Sequence, residues 1–362
     1  MKLNLALAGF GNVARRFVRL LREREAELAA LGLEPVIVGI ATRRHGALFS
    51  SRGIDAVEQA ARIERGPSTG SGQAGDGVML DDGVGVAVKD AFALIAKTGD
   101  LWQPAALVET TVLDIRAGQP ATDHVRTALT EGLHVVTANK GPVAFAARAL
   151  QRLAVDRGVS FLFEGAVMDG IPVFNLVRET LPAVRVLGFE GVLNTTTNQM
   201  LVAIERGESA AAALARMQAE GIAEADASLD LEGWDAAAKT AALANVLLDT
   251  PGPGITPHDV DREGLGPDVE ARVRAATANG ARLKLMARAW NDRGRARAEV
   301  KLREVSPAGP FGSLDGPANA IRIDTDLAGP IVITQLEGSL TATAYALVSD
   351  LAGIARRLQA HG

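Results

Sequence analysis

The sequence predicts an α/β chain of two domains, and three observations carry that prediction. A continuous apolar run, Leu3 to Ala8, leads straight into a glycine turn and then a helical stretch. Further apolar runs alternate with helical segments as far as Ala144, after which longer alanine-rich helices mix with strands. At 362 residues the chain also exceeds what one hydrophobic core usually supports. The boundary is read near residue 144, with 1–144 as the first domain and 145–334 as the second.

Taken in order, Leu3 to Ala8 reads as a buried parallel strand, and GFGNVA follows it at Gly9 to Ala14 before a helix over Val13 to Leu28. A second strand is read at Val36 to Ala41. The segment from Gly66 to Gly85 is rich in glycine and small polar residues, a surface loop open to two readings, lid or connector. Ala105 to Val108 is a strand running into the polar turn Glu109, Thr110, Thr111. A helix over Thr122 to Glu131 precedes the strand Leu133 to Val136, which ends in TANKGPVA. Strands at Val159 to Phe163 and Val184 to Val192 belong to the second pattern. The amphipathic tail Ala342 to Gln359 is read as a helix returning to the first domain, so that 335–362 completes it.

Strand, glycine turn and helix at the head of such an alternation form a Rossmann nucleotide-binding domain, beside an α+β substrate domain. Gly9 permits the tight turn, Gly11 lets a pyrophosphate approach the backbone, and Ala14 is the small residue where helix packs on strand. Gly9, Phe10, Gly11, Asn12 and Val13 are therefore the expected dinucleotide contacts, at a helix N-terminus whose N–H groups suit phosphate. The second strand ends in Ala41, Thr42, Arg43, Arg44, with no carboxylate for a ribose. Two guanidiniums suit a 2′-phosphate, which favours NADP while NAD stays possible; a solvated basic turn is the other reading of Arg43 and Arg44.

Composition narrows the chemistry. The net charge of −5 and an aromatic content of 4% offer neither the basic stripe nor the stacking platforms of a nucleic-acid binder. Without cysteine there is no disulfide, thiolate metal site or thiol nucleophile. The five histidines lack metal-ligand spacing, and Tyr345 is followed four residues later by Ser349 where short-chain reductases have lysine. No signal-peptide core and no bilayer-length apolar run are found, so a cytoplasmic protein without membrane association is expected.

Acid and base work then falls to lysine, aspartate or glutamate. Of 38 basic residues seven are lysines, and two of these stand within apparent motifs. Lys140 closes TANK at the carboxyl end of a strand, where open α/β sheets bind ligands. Lys239 stands four residues after Asp235 in DLEGWDAAAK, on one helix face, with Glu224, Asp226, Asp230 and Glu232 just upstream. A catalytic pair and an ordinary surface salt bridge are both open for Asp235 and Lys239.

With GFGNVA, TANKGPVA, EGAVMDGIP, NTTTN, DLEGWDAAAK and TATAYALVSDL in view, the chain resembles the homoserine dehydrogenase family from first strand to last helix. The resemblance implies NAD(P)H-dependent, reversible reduction of L-aspartate 4-semialdehyde to L-homoserine, on the route to threonine, methionine and isoleucine. It implies that Lys239 is the proton donor, its pKa lowered by partial burial and a second ammonium, with Lys140 between cofactor and substrate. Glu224, Asp230, Asp235 and Thr196 would hold the substrate, and Thr110, Lys140 and Gly338 would join the cofactor contacts. A sodium site of backbone carbonyls is implied near Glu164, Val167, Asp169 and Ile171, and 145–334 becomes a catalytic and dimerisation domain of a homodimer. The chain ends soon after its last helix, as in short members without a sensing domain. Thr195 replaces the family's glycine, Met168 and Asp169 replace a small pair, and ITQLEGSLTA replaces a glycine-rich turn. Two other functions stay open: a related amino-acid or short-carbonyl dehydrogenase, and a non-catalytic NADP-binding regulator.

Overall fold

The computed structural model describes residues 1–66, 80, 83, 85–224 and 226–361; most of the glycine-rich segment at 66–85 lies outside them. The chain divides into two compact units, Met1–Pro142 with Arg148–Pro172 and Ser339–Gly362, and Val143–Ala147 with Val173–Gly338.

In the first unit the strands are β1 (Lys2–Ala8), β2 (Glu34–Ala41), β3 (Ala47–Phe49), β4 (Val86–Val88), β5 (Ala105–Glu109), β6 (His134–Thr137) and β7 (Phe161–Leu162). They lie in the order β4-β3-β2-β1-β5-β6-β7. From β2 to β7 the pairings are parallel, and β3 and β4 add an antiparallel edge. The order reverses between β1 and β5, and that switch point opens the crevice where doubly wound sheets bind ligands.

The helix read over Val13 to Leu28 is two helices, α1 (Asn12–Glu23) and α2 (Glu25–Ala30), broken at Arg24. Residues 22–27 are all exposed, so no buried stripe holds a straight axis between Leu21 and Leu28. The remaining helices of this unit are α3 (Ala56–Arg65), α4 (Ala91–Gly99), α5 (Ala121–Thr130), α6 (Lys140–Asp156) and, at the chain's end, Leu340–His361. This last helix completes the core: Ala344, Leu347, Leu351 and Ile354 join Leu5, Leu7 and Phe17 in one buried cluster. Each large apolar side chain so buried contributes about 1.5–3 kcal/mol.

The second unit is built on a sheet in the order β13-β12-β8-β10-β11-β9. Its strands are β8 (Val186–Val192), β9 (Asp261–Arg262), the long hairpin β10 (Arg282–Asp292) and β11 (Arg295–Val305), β12 (Asn319–Thr325) and β13 (Pro330–Gln335). Helix Trp234–Leu247 packs on the hairpin. Its alanines 236, 237, 238, 241, 242 and 244 are all buried, and such small side chains let helix and strands approach closely. Gly233 starts that helix at φ +79°, and a Cβ there would lie 2.8 Å from the carbonyl oxygen of Glu263. Among the described residues no helix is long and apolar enough to cross a membrane.

His134 gives the first unit a pH dependence. Its Nδ1 accepts from the Ser160 N–H at 3.0 Å, and burial, with a smaller push from Arg357, lowers its pKa to about 4. The unfolded chain takes up this proton near 6.5, so the stability it confers is complete above that pH and is lost as pH falls toward 4. We predict that acidification from pH 7 to 4 costs the parent at most about 3 kcal/mol more than a His134→Asn variant, read by denaturant unfolding. Parallel losses in the two proteins would refute this.

Candidate active site

The glycine turn is set by the strands on either side of β1. Gly9 has φ +90°, and a Cβ there would fall 2.7 Å from the carbonyl carbon and oxygen of Thr110, so only glycine fits. Its N–H donates to the Ala41 carbonyl at 2.9 Å, while Thr110 donates its N–H to Ala8 O at 2.8 Å and its hydroxyl to Gly9 O at 3.1 Å. Phe10 is buried beneath the turn, Gly11 and Asn12 are exposed, and Val13 is half-buried. Gly11 caps α1 without a side-chain hydrogen bond, and a Cβ on it would meet nothing within 4 Å. Open space therefore faces the first N–H groups of a helix, an arrangement that fits a pyrophosphate.

The ends of β2 and β6, in the same sheet, carry Arg43, Arg44 and Lys140, also expected at the nucleotide. Arg43 and Arg44 are exposed in a turn after β2, closed by Thr42, whose hydroxyl accepts from the His45 N–H at 2.7 Å. Lys140 is the first residue of α6, and Asn139 caps that helix by accepting from the Gly141 N–H at 2.8 Å. Gly338 is half-buried at the end of the second unit, just before Ser339 begins the last segment of the first.

The residues expected at a sodium ion lie along two successive 3-10 turns of the first unit, Glu164–Ala166 and Met168–Gly170, and at Val167 and Ile171 beside them. Glu164 and Val167 are buried, and Met168 and Asp169 have φ of 54° and 46°. The Glu164 N–H donates to the buried Asp350 carboxylate at 2.8 Å, and the Thr343 hydroxyl lies 3.4 Å from Asp169 Oδ1. Among the described residues no cluster of histidine and carboxylate side chains is arranged for a metal.

In the second unit Asp230, Asp235 and Lys239 assemble beside Asn194. The Lys239 Nζ lies 2.9 Å from Asp235 Oδ2 and donates to the Leu193 carbonyl at 2.7 Å. Asn194 donates to Asp235 Oδ2 at 2.9 Å and to Asp230 Oδ1 at 2.8 Å. Its own Oδ1 accepts from the Thr197 N–H at 2.8 Å and so caps the helix Thr195–Glu205. The side chains of Asp235 and Lys239 are each 17% exposed, which sets the pair apart from a solvated surface bridge. Both of these partners, the Asp235 carboxylate and the Leu193 carbonyl, accept from the Lys239 amine. Trp234 is covered by the Arg262 guanidinium, 3.7 Å above its ring.

Thr196 is buried in the first turn of the helix that Asn194 caps. Glu224, on the loop ahead of Asp230, is exposed and outside the hydrogen-bonded group. Two residues of this region escaped the sequence reading. Asn194 carried a signal, an asparagine opening a helical stretch, which is a favoured cap. Lys284 carried none, since it lies in the apolar strand β10. It is buried, donates to Asn198 Oδ1 at 2.7 Å and Leu314 O at 2.6 Å, and burial beside Arg282 pushes its pKa down to about 8.

Residues 172–352 match the family model for homoserine dehydrogenase. An NAD(+)-dependent homoserine dehydrogenase from Pseudomonas canavaninivorans is 36% identical over 99% of this chain and 98% of its own length. A homoserine dehydrogenase structure from Thiobacillus denitrificans superposes with a TM-score of 0.79 at 27% identity, over 99% of this chain and 74% of that one. A hyperthermophilic archaeal homoserine dehydrogenase solved in complex with NADPH shares the fold, with a TM-score of 0.78 at 24% identity over 99% and 98% of the two chains. By the family match, by identity along its whole length and by its two sheets, the chain belongs to the homoserine dehydrogenase family, NAD(P)-dependent oxidoreductases of amino-acid biosynthesis.

Proposed function

We propose that Lys239 is the acid–base group through which this chain interconverts L-aspartate 4-semialdehyde and L-homoserine. The observation that carries the reading is its half-buried ammonium, held between Asp235 and the Leu193 carbonyl. The nicotinamide, when bound, supplies or takes up the hydride. In reduction Lys239 gives its proton to the aldehyde oxygen as negative charge grows there; in oxidation the neutral amine takes the hydroxyl proton. Asp235 and Leu193 O fix the direction of the amine, and Asn194 fixes Asp235 and Asp230. Asp230 and Asp235, with Glu224 as an outer carboxylate, suit the α-ammonium of the substrate, and the Thr196 hydroxyl is a further contact. Lys140 joins cofactor and substrate from the start of α6.

The glycine turn and Thr110 hold the dinucleotide, with Gly338 as an added contact. For its adenosine end we favour NADP, because Arg43 and Arg44 are exposed in the turn after β2 and two guanidiniums suit a 2′-phosphate. That the Pseudomonas relative is NAD(+)-dependent makes this preference a direct question for experiment. A sodium ion bound by the carbonyls of Glu164, Val167, Asp169 and Ile171 belongs to the same proposal, supported by the two consecutive left-handed residues that turn the chain there. A second copy of the chain is the proposed partner. Its support is the outward sheet face around Trp290, 38% exposed and bordered by Glu190, Arg288 and Arg322.

Lys239→Ala is predicted to lower turnover by at least about two orders of magnitude while leaving nucleotide affinity nearly unchanged, as loss of a general acid requires. A drop of less than tenfold would rule out that role. Arg43→Ala should weaken NADP much more than NAD in parallel titrations, and equal weakening of the two would dismiss the phosphate clamp. Sedimentation equilibrium should give twice the chain mass of 37.7 kDa, and a single-chain mass would contradict the dimer.

A further inference from the structure

A fully buried carboxylate lies under the nucleotide turn without yet having a part in binding or chemistry. Glu109, the last residue of β5, has no exposed surface. Its Oε1 accepts from the Thr111 N–H at 3.1 Å and from the Thr111 hydroxyl. The Thr137 hydroxyl shares its one hydrogen between the Glu109 carbonyl at 3.0 Å and Oε2 at 3.2 Å, and accepts from the Asn139 N–H at 2.9 Å. Asn139 returns the connection, its amide donating to Thr111 O at 2.9 Å while its oxygen caps α6 in front of Lys140. His124 fills the remaining side, Nδ1 3.8 Å from Glu109 Oε1.

Three turns therefore meet through one side chain. The Gly9 turn rests on Thr110 and Thr111, Thr111 is tied to Glu109, and Glu109 is tied through Thr137 to the Asn139–Lys140 turn. The strand order places these three at the carboxyl ends of β1, β5 and β6, side by side at the switch point. The Thr111 N–H and the Thr111 and Thr137 hydroxyls all point toward the Glu109 carboxyl oxygens as donors. A carboxyl group buried without partners is costly, and these donors offset that cost.

We infer that Glu109 is a positioning residue for the dinucleotide: it locks the Thr110–Thr111 and Asn139–Lys140 turns into the one arrangement that accepts the nicotinamide half of the cofactor. The inference rests on the reading of the Gly9–Val13 turn as the dinucleotide site. Because β2 and its arginines lie across β1 from Glu109, loss of the lock weakens NAD and NADP alike. Glutamine keeps an acceptor for Thr111 and offers an N–H to the Thr137 oxygen, so it restores most of the connection; alanine restores none.

The test is nucleotide affinity, measured by titration calorimetry with NAD and NADP on the parent, Glu109→Ala and Glu109→Gln, with circular dichroism and thermal midpoints taken on the free proteins. The expected result is a rise of about tenfold or more in both dissociation constants for Glu109→Ala, with Glu109→Gln within about threefold of the parent. If Glu109→Ala does not fold, Thr111→Val and Thr137→Val, which remove one donor each without opening a cavity, should each weaken both nucleotides several-fold. Folded variants that bind both nucleotides within twofold of the parent overturn the role of Glu109. A parent that binds neither nucleotide overturns instead the reading of the glycine turn.

Discussion

A half-buried ammonium has to be held, and the holding of Lys239 organises the second unit. Its partners are Asp235, one helical turn earlier, and the Leu193 carbonyl at the end of β8. Those contacts require the helix Trp234–Leu247 to start where it does, which Gly233 secures by taking a left-handed φ against Glu263. They also require the carboxylates to stay in place, which Asn194 secures while capping the next helix. A pair of charges four residues apart is ordinary on a helix; a shared, partly desolvated hydrogen-bond group is what gives this one a direction.

The first unit solves a different problem, bringing backbone close to an anion. Gly9 is pressed against Thr110 so tightly that no side chain fits, while Gly11 opens onto free space at the head of α1. The last helix of the chain makes this possible from behind, packing Leu347, Leu351 and Ile354 into the same core as β1 and α1. A chain end thus fixes the support of a turn formed by its first residues.

Much of this was legible in the sequence. Leu3 to Ala8 followed by GFGNVA announces a parallel strand and a nucleotide turn because burial on both faces leaves an unbroken apolar run. The terminal helix was legible from its apolar periodicity, and Asp235 with Lys239 from helical spacing. Other features leave no local pattern. Strands β3 and β4 are three residues each, too short for a period to show. The break at Arg24 is written as an absence, six residues without an apolar anchor. Glu109, Asn194 and Lys284 take their meaning from partners 28, 36 and 86 residues away, and only the folded chain brings those together. The rival of a regulator or a different dehydrogenase was settled by likeness along the whole chain, not by any one motif.

The most direct test of the account is a crystal structure with homoserine and a non-reactive nicotinamide dinucleotide bound together. The Lys239 amine is expected within about 3 Å of the homoserine hydroxyl oxygen, still paired with Asp235. An amine turned into bulk solvent, with another group on that oxygen, would contradict it.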